Sequence, residues 1–169
     1  MQFLVKKAQK GDDTAFYELM QNHKEQLYRI AFSYVKSEPD AIEAIQEVTF
    51  RAYKQLKKLK EPSFFSTWII RILINYCIDE QKRKSKVVLE LSTEPGYTDI
   101  EPTSKIEMKR VLEQLKADYQ HVVILKYFHD LTVPEIARIL ERPEGTIKTW
   151  IHKALLEMKT MMEREDFYV

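Results

Sequence analysis

Side chains suited to binding chemistry stand at helical spacing in three stretches. In "LTVPEIARILERPEGTIKTWIHKALLEM", Leu131 to Met158, an apolar row of Ile147, Ile151, Ala154 and Met158 leaves Thr146, Lys148, Thr149, His152 and Lys153 on other sides. A row of cations and hydrogen-bonding groups suits a DNA groove, where base edges and phosphates supply the partners. Asp40, Glu43, Gln46 and Glu47 form an acidic and amide patch, with Arg51 one turn beyond Glu47, expected opposite Ile42, Ile45 and Ala52. Such a patch can meet a cationic protein surface, or be a solvated face on which Glu47 and Arg51 pair. Arg71, Asn75, Asp79 and Lys82 draw a polar stripe along an apolar helix that ends in "KRKSK", with Phe64, Phe65 and Trp68 just upstream. Rings beside cations are what opened DNA needs, because unstacked bases regain stacking while phosphates meet charge. For Trp68 itself a core position is the expectation.

Catalytic chemistry finds no comparable set. His23, His121, His129 and His152 are not spaced as metal ligands with one another or with Cys77, and there is no phosphate-binding glycine loop or nucleophile elbow. No metal, cofactor or small-molecule substrate is expected. Cys77 is alone and stands between Tyr76 and Ile78, which predicts a buried structural thiol in a reducing compartment. "MQFLVKKAQKGDD" lacks the apolar run of a signal peptide, and "WIIRILINYCI" is too short to span a bilayer and carries Arg71 and Asn75. A soluble, cytoplasmic protein is expected. Its 27 basic and 26 acidic residues nearly cancel, so any nucleic-acid site must be local.

The elements that must position these residues are helices. Three glycines leave little material for hairpins, and apolar residues recur at steps of three and four throughout. Asp12 and Asp13 can cap a helix running to about Val35, with Phe16, Leu19, Met20, Leu27, Ile30, Ala31 and Tyr34 on one face. Ser37 and Pro39 start a second helix, whose Ile42, Ile45, Ala52, Leu56 and Leu59 step along to a stop at Pro62. A third, from about Ser66 to Arg83, carries Trp68, Ile69, Ile72, Leu73, Tyr76 and Ile78 over a wide arc, as a central helix would. The stretch "LSTEPGYTDIEPTS" holds two prolines, a glycine and five Ser or Thr residues without apolar period, and reads as linker. The expected fold is all-α: a helical bundle over 1–84, a flexible linker over 85–103 and a second helical domain over 104–169. In the second domain, Thr132 and Glu135 form a capping-box pattern, Ala137 permits a close helix crossing, and Pro143 with Gly145 opens another helix. This is a helix-turn-helix or an ordinary helical hairpin; pattern alone allows both.

The order of the pieces adds what pattern does not. Over about residues 10–165 the chain resembles the bacterial RNA polymerase sigma factors of the extracytoplasmic-function family. The likeness is carried by "YRIAFSYVKSEPDAIEAIQEVTFRAYKQL", which looks like the family's core-binding region, by "FSTWIIRILINYCIDEQKRK", similar to its promoter-melting helix, and by "LTVPEIARILERPEGTIKTWIHKAL", similar to its −35 region. The resemblance implies that Asp40, Glu43, Gln46, Glu47 and Arg51 face the clamp of the polymerase largest subunit. It implies that Lys58, Lys60, Phe64, Phe65 and Ser66 in "KLKEPSFFS", with Arg71, Asn75, Lys82, Arg83 and Lys84, hold the opened −10 strand. It implies that Arg142, Thr146, Lys148, Thr149, His152 and Lys153 dock on the −35 element. Promoter DNA, core polymerase and a membrane-tethered anti-sigma factor are the implied partners. Glu43 stands where the family often has Asp, Thr149 for Ser and Lys153 for Arg. Trp150 and Leu155 replace common arginines, so two DNA contacts are expected to be missing there. Two rivals come from other classes: a stand-alone dimeric regulator on a palindrome, and a helical adaptor that binds only protein.

Overall fold

The computed structural model describes the backbone of residues 1–90 and 103–165 and the side chains of 1–84, 108 and 110–163. Every regular element among the described residues is helical, and the chain divides into two compact units, Met1–Ser92 and Thr93–Val169. Most of the linker expected over 85–103 lies outside the described residues.

The first unit is a bundle of α1 (Gln2–Gln9), α2 (Asp13–Val35), α3 (Glu38–Gln55) and α4 (Phe65–Glu90). Asp12 caps α2 by accepting from the Ala15 amide at 2.9 Å, and the predicted row from Phe16 to Tyr34 is buried throughout. Gly11, at φ +97, makes the turn from α1 that a residue with a Cβ adopts only under strain. Helix α1 was not foreseen; it buries Val5 and Ala8 beside α2. Ser37 caps α3, which ends at Gln55 rather than at Pro62, because two 3-10 turns, Leu56–Lys58 and Pro62–Phe64, interrupt the chain. Helix α4 does not stop at Arg83 but continues to Glu90. Lys, Arg and Glu are good helix formers, so the charged run there is no stop signal.

The inward face of α3 differs from expectation. Ala41, Ala44, Val48 and Ala52 are buried, whereas Ile42 is 44% exposed and Ile45 only half-buried. Small side chains let α3 lie close against α2 and α4, and that approach turns its larger apolar residues outward. On α4 two adjacent rows are buried, Ile69, Leu73 and Tyr76 with Ile70, Ile74 and Cys77. Trp68, Ile72 and Ile78 are half-buried at the edges.

The second unit packs α5 (Thr103–Gln114), α6 (Ala117–Val123), α7 (Val133–Leu140) and α8 (Glu144–Glu165), with a π-helical turn over Ile124–Phe128. Val111, Leu115, Tyr119, Val123, Ala154 and Met158 form its core, against which Met108, Leu112, Trp150 and Met161 pack. The capping box is present in full. The Thr132 amide donates to Glu135 Oε2 at 2.8 Å, and the Glu135 amide donates to Thr132 Oγ1 at 3.4 Å. Glu141 adopts the left-handed conformation at the end of α7, and Arg142 and Pro143 complete a short turn into α8. That is the connection of a helix-turn-helix.

Candidate functional site

On α3 the acidic residues gather as the spacing predicts, but along the side that leans toward α4. Glu43 and Gln46 are exposed, and Asp40 and Glu47 are partly covered. Arg51 donates from Nε to Glu47 Oε1 at 2.7 Å, and its guanidinium lies 5.2 Å from the Tyr76 ring centroid. Asp40 takes a hydrogen bond from the Lys84 ammonium, which holds its carboxyl below the ordinary carboxylate range. The Tyr76 phenol is pushed up, first by burial and then by Glu43 and Glu80. One row was missed from the sequence. Ile42, Gln46 and Phe50 stand at four-residue steps on open surface, with Phe50 54% exposed and the Lys54 ammonium 4.0 Å from its ring centroid. The signal was there: large apolar residues on a helix whose buried row is made of alanines and valine. Tyr53, equally exposed, braces α3 on α2 through a 2.8 Å bond to Asp13 and an edge-on contact with Phe16 at 5.1 Å.

The stretch between α3 and α4 separates its two phenylalanines. Phe64 is 39% exposed, but Phe65 is fully buried with its ring edge-on to His23 at 5.2 Å. The expectation that Phe65 stacks on a base is therefore corrected: its side chain belongs to the core, and Phe64 alone of the pair presents a ring. Ser66 is also engaged, its Oγ 2.8 Å from His23 Nε2. Lys58, Lys60 and Asn75 are exposed, and Arg71 is half-buried. Lys82, Arg83 and Lys84 are exposed too, but the last two are paired. Arg83 grips Glu80 at 2.6 Å and Lys84 meets Asp40. Lys84, expected on DNA, and Asp40, expected at the protein docking surface, thus touch each other within one unit.

On α8 the exposed side carries Lys148, Thr149, His152 and Lys153, with Thr146 half-buried and Arg142 exposed in the turn before it. Ile147, Ala154 and Met158 are buried on the opposite side. Thr149 Oγ1 donates to the Gly145 carbonyl at 2.9 Å, so its proton is committed to backbone and the hydroxyl is left as an acceptor. Trp150 is not placed to replace the arginine contact that the resemblance finds missing there. It turns inward to the core, and the Arg142 guanidinium lies 6.0 Å from its ring centroid. Leu155 does lie on the surface, 42% exposed. Among the described residues, no group of His, Cys, Asp and Glu is placed to hold a metal ion, and no helix is long and apolar enough to cross a membrane.

Comparison with known proteins assigns both units. Residues 19–87 match "Sigma-70 region 2" and residues 105–158 match "Sigma-70, region 4". RNA polymerase sigma factor SigV of Bacillus subtilis is 30% identical over 154 residues, covering 86% of this chain and 89% of the relative. The chain belongs to the sigma-70 family. Among its relatives are the ECF RNA polymerase sigma factor SigW of Bacillus subtilis, 28% identical with 88% and 89% covered, and the ECF RNA polymerase sigma-E factor of Escherichia coli, 27% identical with 90% and 89% covered. In fold it is similar to a chain in the structure of CnrH with the cytosolic domain of CnrY, at TM-score 0.74 and 20% identity over 96% of this chain and 97% of that one. A chain in the complex of the sigma factor RpoE with the anti-sigma factor NepR from Bartonella quintana matches at TM-score 0.70 and 19% identity over 88% and 96%. Region 2 takes in most of α2, all of α3, the loop and most of α4, and region 4 takes in the helix-turn-helix.

Proposed function

We propose that the chain joins core RNA polymerase in the cytoplasm and directs it to a specific set of promoters, contributing recognition and strand opening while the polymerase performs all bond-making. The observation that carries this is the succession of sigma-70 regions 2 and 4 on one chain.

Core docking is assigned to α3. Asp40, Glu43, Glu47 and Arg51 supply charge and Gln46 an amide, and the exposed Ile42 and Phe50 supply apolar area beside them. An apolar centre with a charged rim is the usual anatomy of a protein interface. Capture of the opened −10 strand is assigned to Lys58, Lys60 and Phe64, with Arg71, Asn75 and Lys82 along α4. Arg83 and Lys84 serve it only after exchanging Glu80 and Asp40 for phosphates. Docking on the −35 element is assigned to Arg142, Thr146, Lys148, Thr149, His152 and Lys153 from α8 and its turn. Two of the similar solved structures pair CnrH with CnrY and RpoE with an anti-sigma factor. By extension this chain is restrained by a membrane-tethered anti-sigma partner.

A footprint tests the reading against both rivals. A sigma factor protects an asymmetric promoter only together with core enzyme. Protection of a two-fold symmetric site by the chain alone would identify a stand-alone regulator, and no protection in either case would identify a protein-binding adaptor.

A further inference from the structure

The loop between α3 and α4 has little secondary structure of its own to hold it. Between its two 3-10 turns the backbone is extended at Leu59 and Glu61, and the turns are closed by bonds from the Leu59 amide to the Leu56 carbonyl and from the Phe64 amide to the Glu61 carbonyl, both 3.1 Å. Two polar side chains from elsewhere in the bundle hold its ends. Gln9 of α1 donates from Nε2 to the Leu56 carbonyl at 3.1 Å and to the Leu59 carbonyl at 2.7 Å. Both partners can only accept, so the amide nitrogen must face them and both of its protons are used. His23 of α2, itself buried, has Nδ1 2.8 Å from the Leu19 carbonyl and Nε2 2.8 Å from Ser66 Oγ. The Leu19 carbonyl requires a proton on Nδ1, which in the neutral ring leaves Nε2 to accept from the Ser66 hydroxyl. The two Gln9 bonds and the His23–Ser66 bond each join residues more than forty positions apart, so none of them helps a helix to form.

We infer that Gln9 and His23 are positioning residues for strand opening, fixing the two ends of the Lys58–Ser66 loop so that Phe64 and Lys60 are presented to the −10 strand without reorganisation. Gln9 lies outside the residues matched to region 2. The inference rests on the proposed role of the loop. A free loop must lose conformational entropy when it takes up a strand, whereas one held at both ends loses it during folding. Phe65, locked under His23, fixes the direction in which its neighbour Phe64 leaves the bundle.

Three variants of the full chain test this, assayed with core polymerase on a promoter fragment recovered by run-off transcription with the unaltered chain. Gln9→Glu keeps the shape but sets a carboxylate against two carbonyl oxygens. His23→Phe keeps a ring against Phe65 but gives Ser66 no partner, and Ser66→Ala removes the hydroxyl from the other side. Circular dichroism and closed-complex footprints should stay near those of the unaltered chain. Permanganate reactivity at the −10 region should fall about thirty-fold for Gln9→Glu, the equivalent of losing two ordinary hydrogen bonds. A template with a pre-opened bubble should restore transcription. Combining His23→Phe with Ser66→Ala should be no worse than His23→Phe alone, since both delete the His23–Ser66 bond. Opening at the unaltered rate in Gln9→Glu and His23→Phe would overturn the inference. So would a loss of closed complexes that a bubble does not rescue, which would assign the pair to the fold or to docking. If the unaltered chain opened no promoter with core enzyme, the role of the loop itself would be removed, and the inference with it.

Discussion

Reversing Glu43 and Glu47 together, Glu43→Lys with Glu47→Lys, separates a docking surface from a solvated helix face. The fold should hardly notice. Glu47 meets Arg51 at 2.7 Å, but both side chains are partly exposed, and an i,i+4 pair in that setting contributes about 0.3 to 0.5 kcal/mol. Arg51 keeps its second contact, over the Tyr76 ring at 5.2 Å. Glu43 is exposed, so its loss adds a similarly small amount. A total below about 1 kcal/mol lowers the melting temperature of a domain this size by about 4 to 8 °C at most. Docking should suffer far more, because a surface complementary to carboxylates now meets cations, and like charges across an interface cost several kcal/mol. At about 1.4 kcal/mol per factor of ten, that is a loss of roughly a hundred-fold or more in affinity for core enzyme. The assay is titration of labelled chain with core polymerase, beside circular dichroism melts of both proteins. Unchanged affinity with unchanged melting would refute the reasoning and leave the patch a solvated face.

Further outcomes follow from the second unit and from Cys77. Thr149→Ala should weaken the cognate −35 element relative to altered ones by about 1 to 3 kcal/mol, whereas Lys153→Ala should weaken all sequences alike. Competition binding across a panel of −35 variants checks this, and equal losses for both substitutions would remove the division between base and phosphate roles. Arg142→Ala should lower the slope of log affinity against log salt by about 0.9, and Trp150→Leu should give part of that change together with a lower melting temperature. An unchanged salt slope in Arg142→Ala would mean that the guanidinium touches no phosphate. Burial, and after it the Glu80 charge, pushes the Cys77 thiol up to about 12, so at pH 8 it stays protonated and covered. Alkylation should then proceed only as fast as the bundle opens; rapid labelling of the folded chain would contradict that.

Much of this organisation is legible in the residues, and the exceptions share a physical cause. The Asp12 cap with its buried row on α2, and the Thr132 and Glu135 box on α7, are local signals, complete within a few positions. Helix α3 misleads because its inward row is chosen for smallness, so the largest apolar residues mark the outside. Phe64 and Phe65 look equivalent as types, and only the tertiary position of His23 assigns one to the core. Gln9 and His23 act on residues more than forty positions away, a relation that no periodicity contains. That Trp150 packs against the core of the second unit is likewise a tertiary relation that residue type alone does not give.

The central claim is that this chain confers promoter choice on an enzyme that lacks it. Reconstituted transcription tests that most directly: bacterial core polymerase on a library of genomic fragments, with and without the chain, with transcript 5′ ends mapped. The expected result is a small set of sharp start sites that appear only when the chain is present and share paired sequence elements upstream. Start sites that are the same with and without the chain, or a general suppression of transcripts on its addition, would contradict the claim.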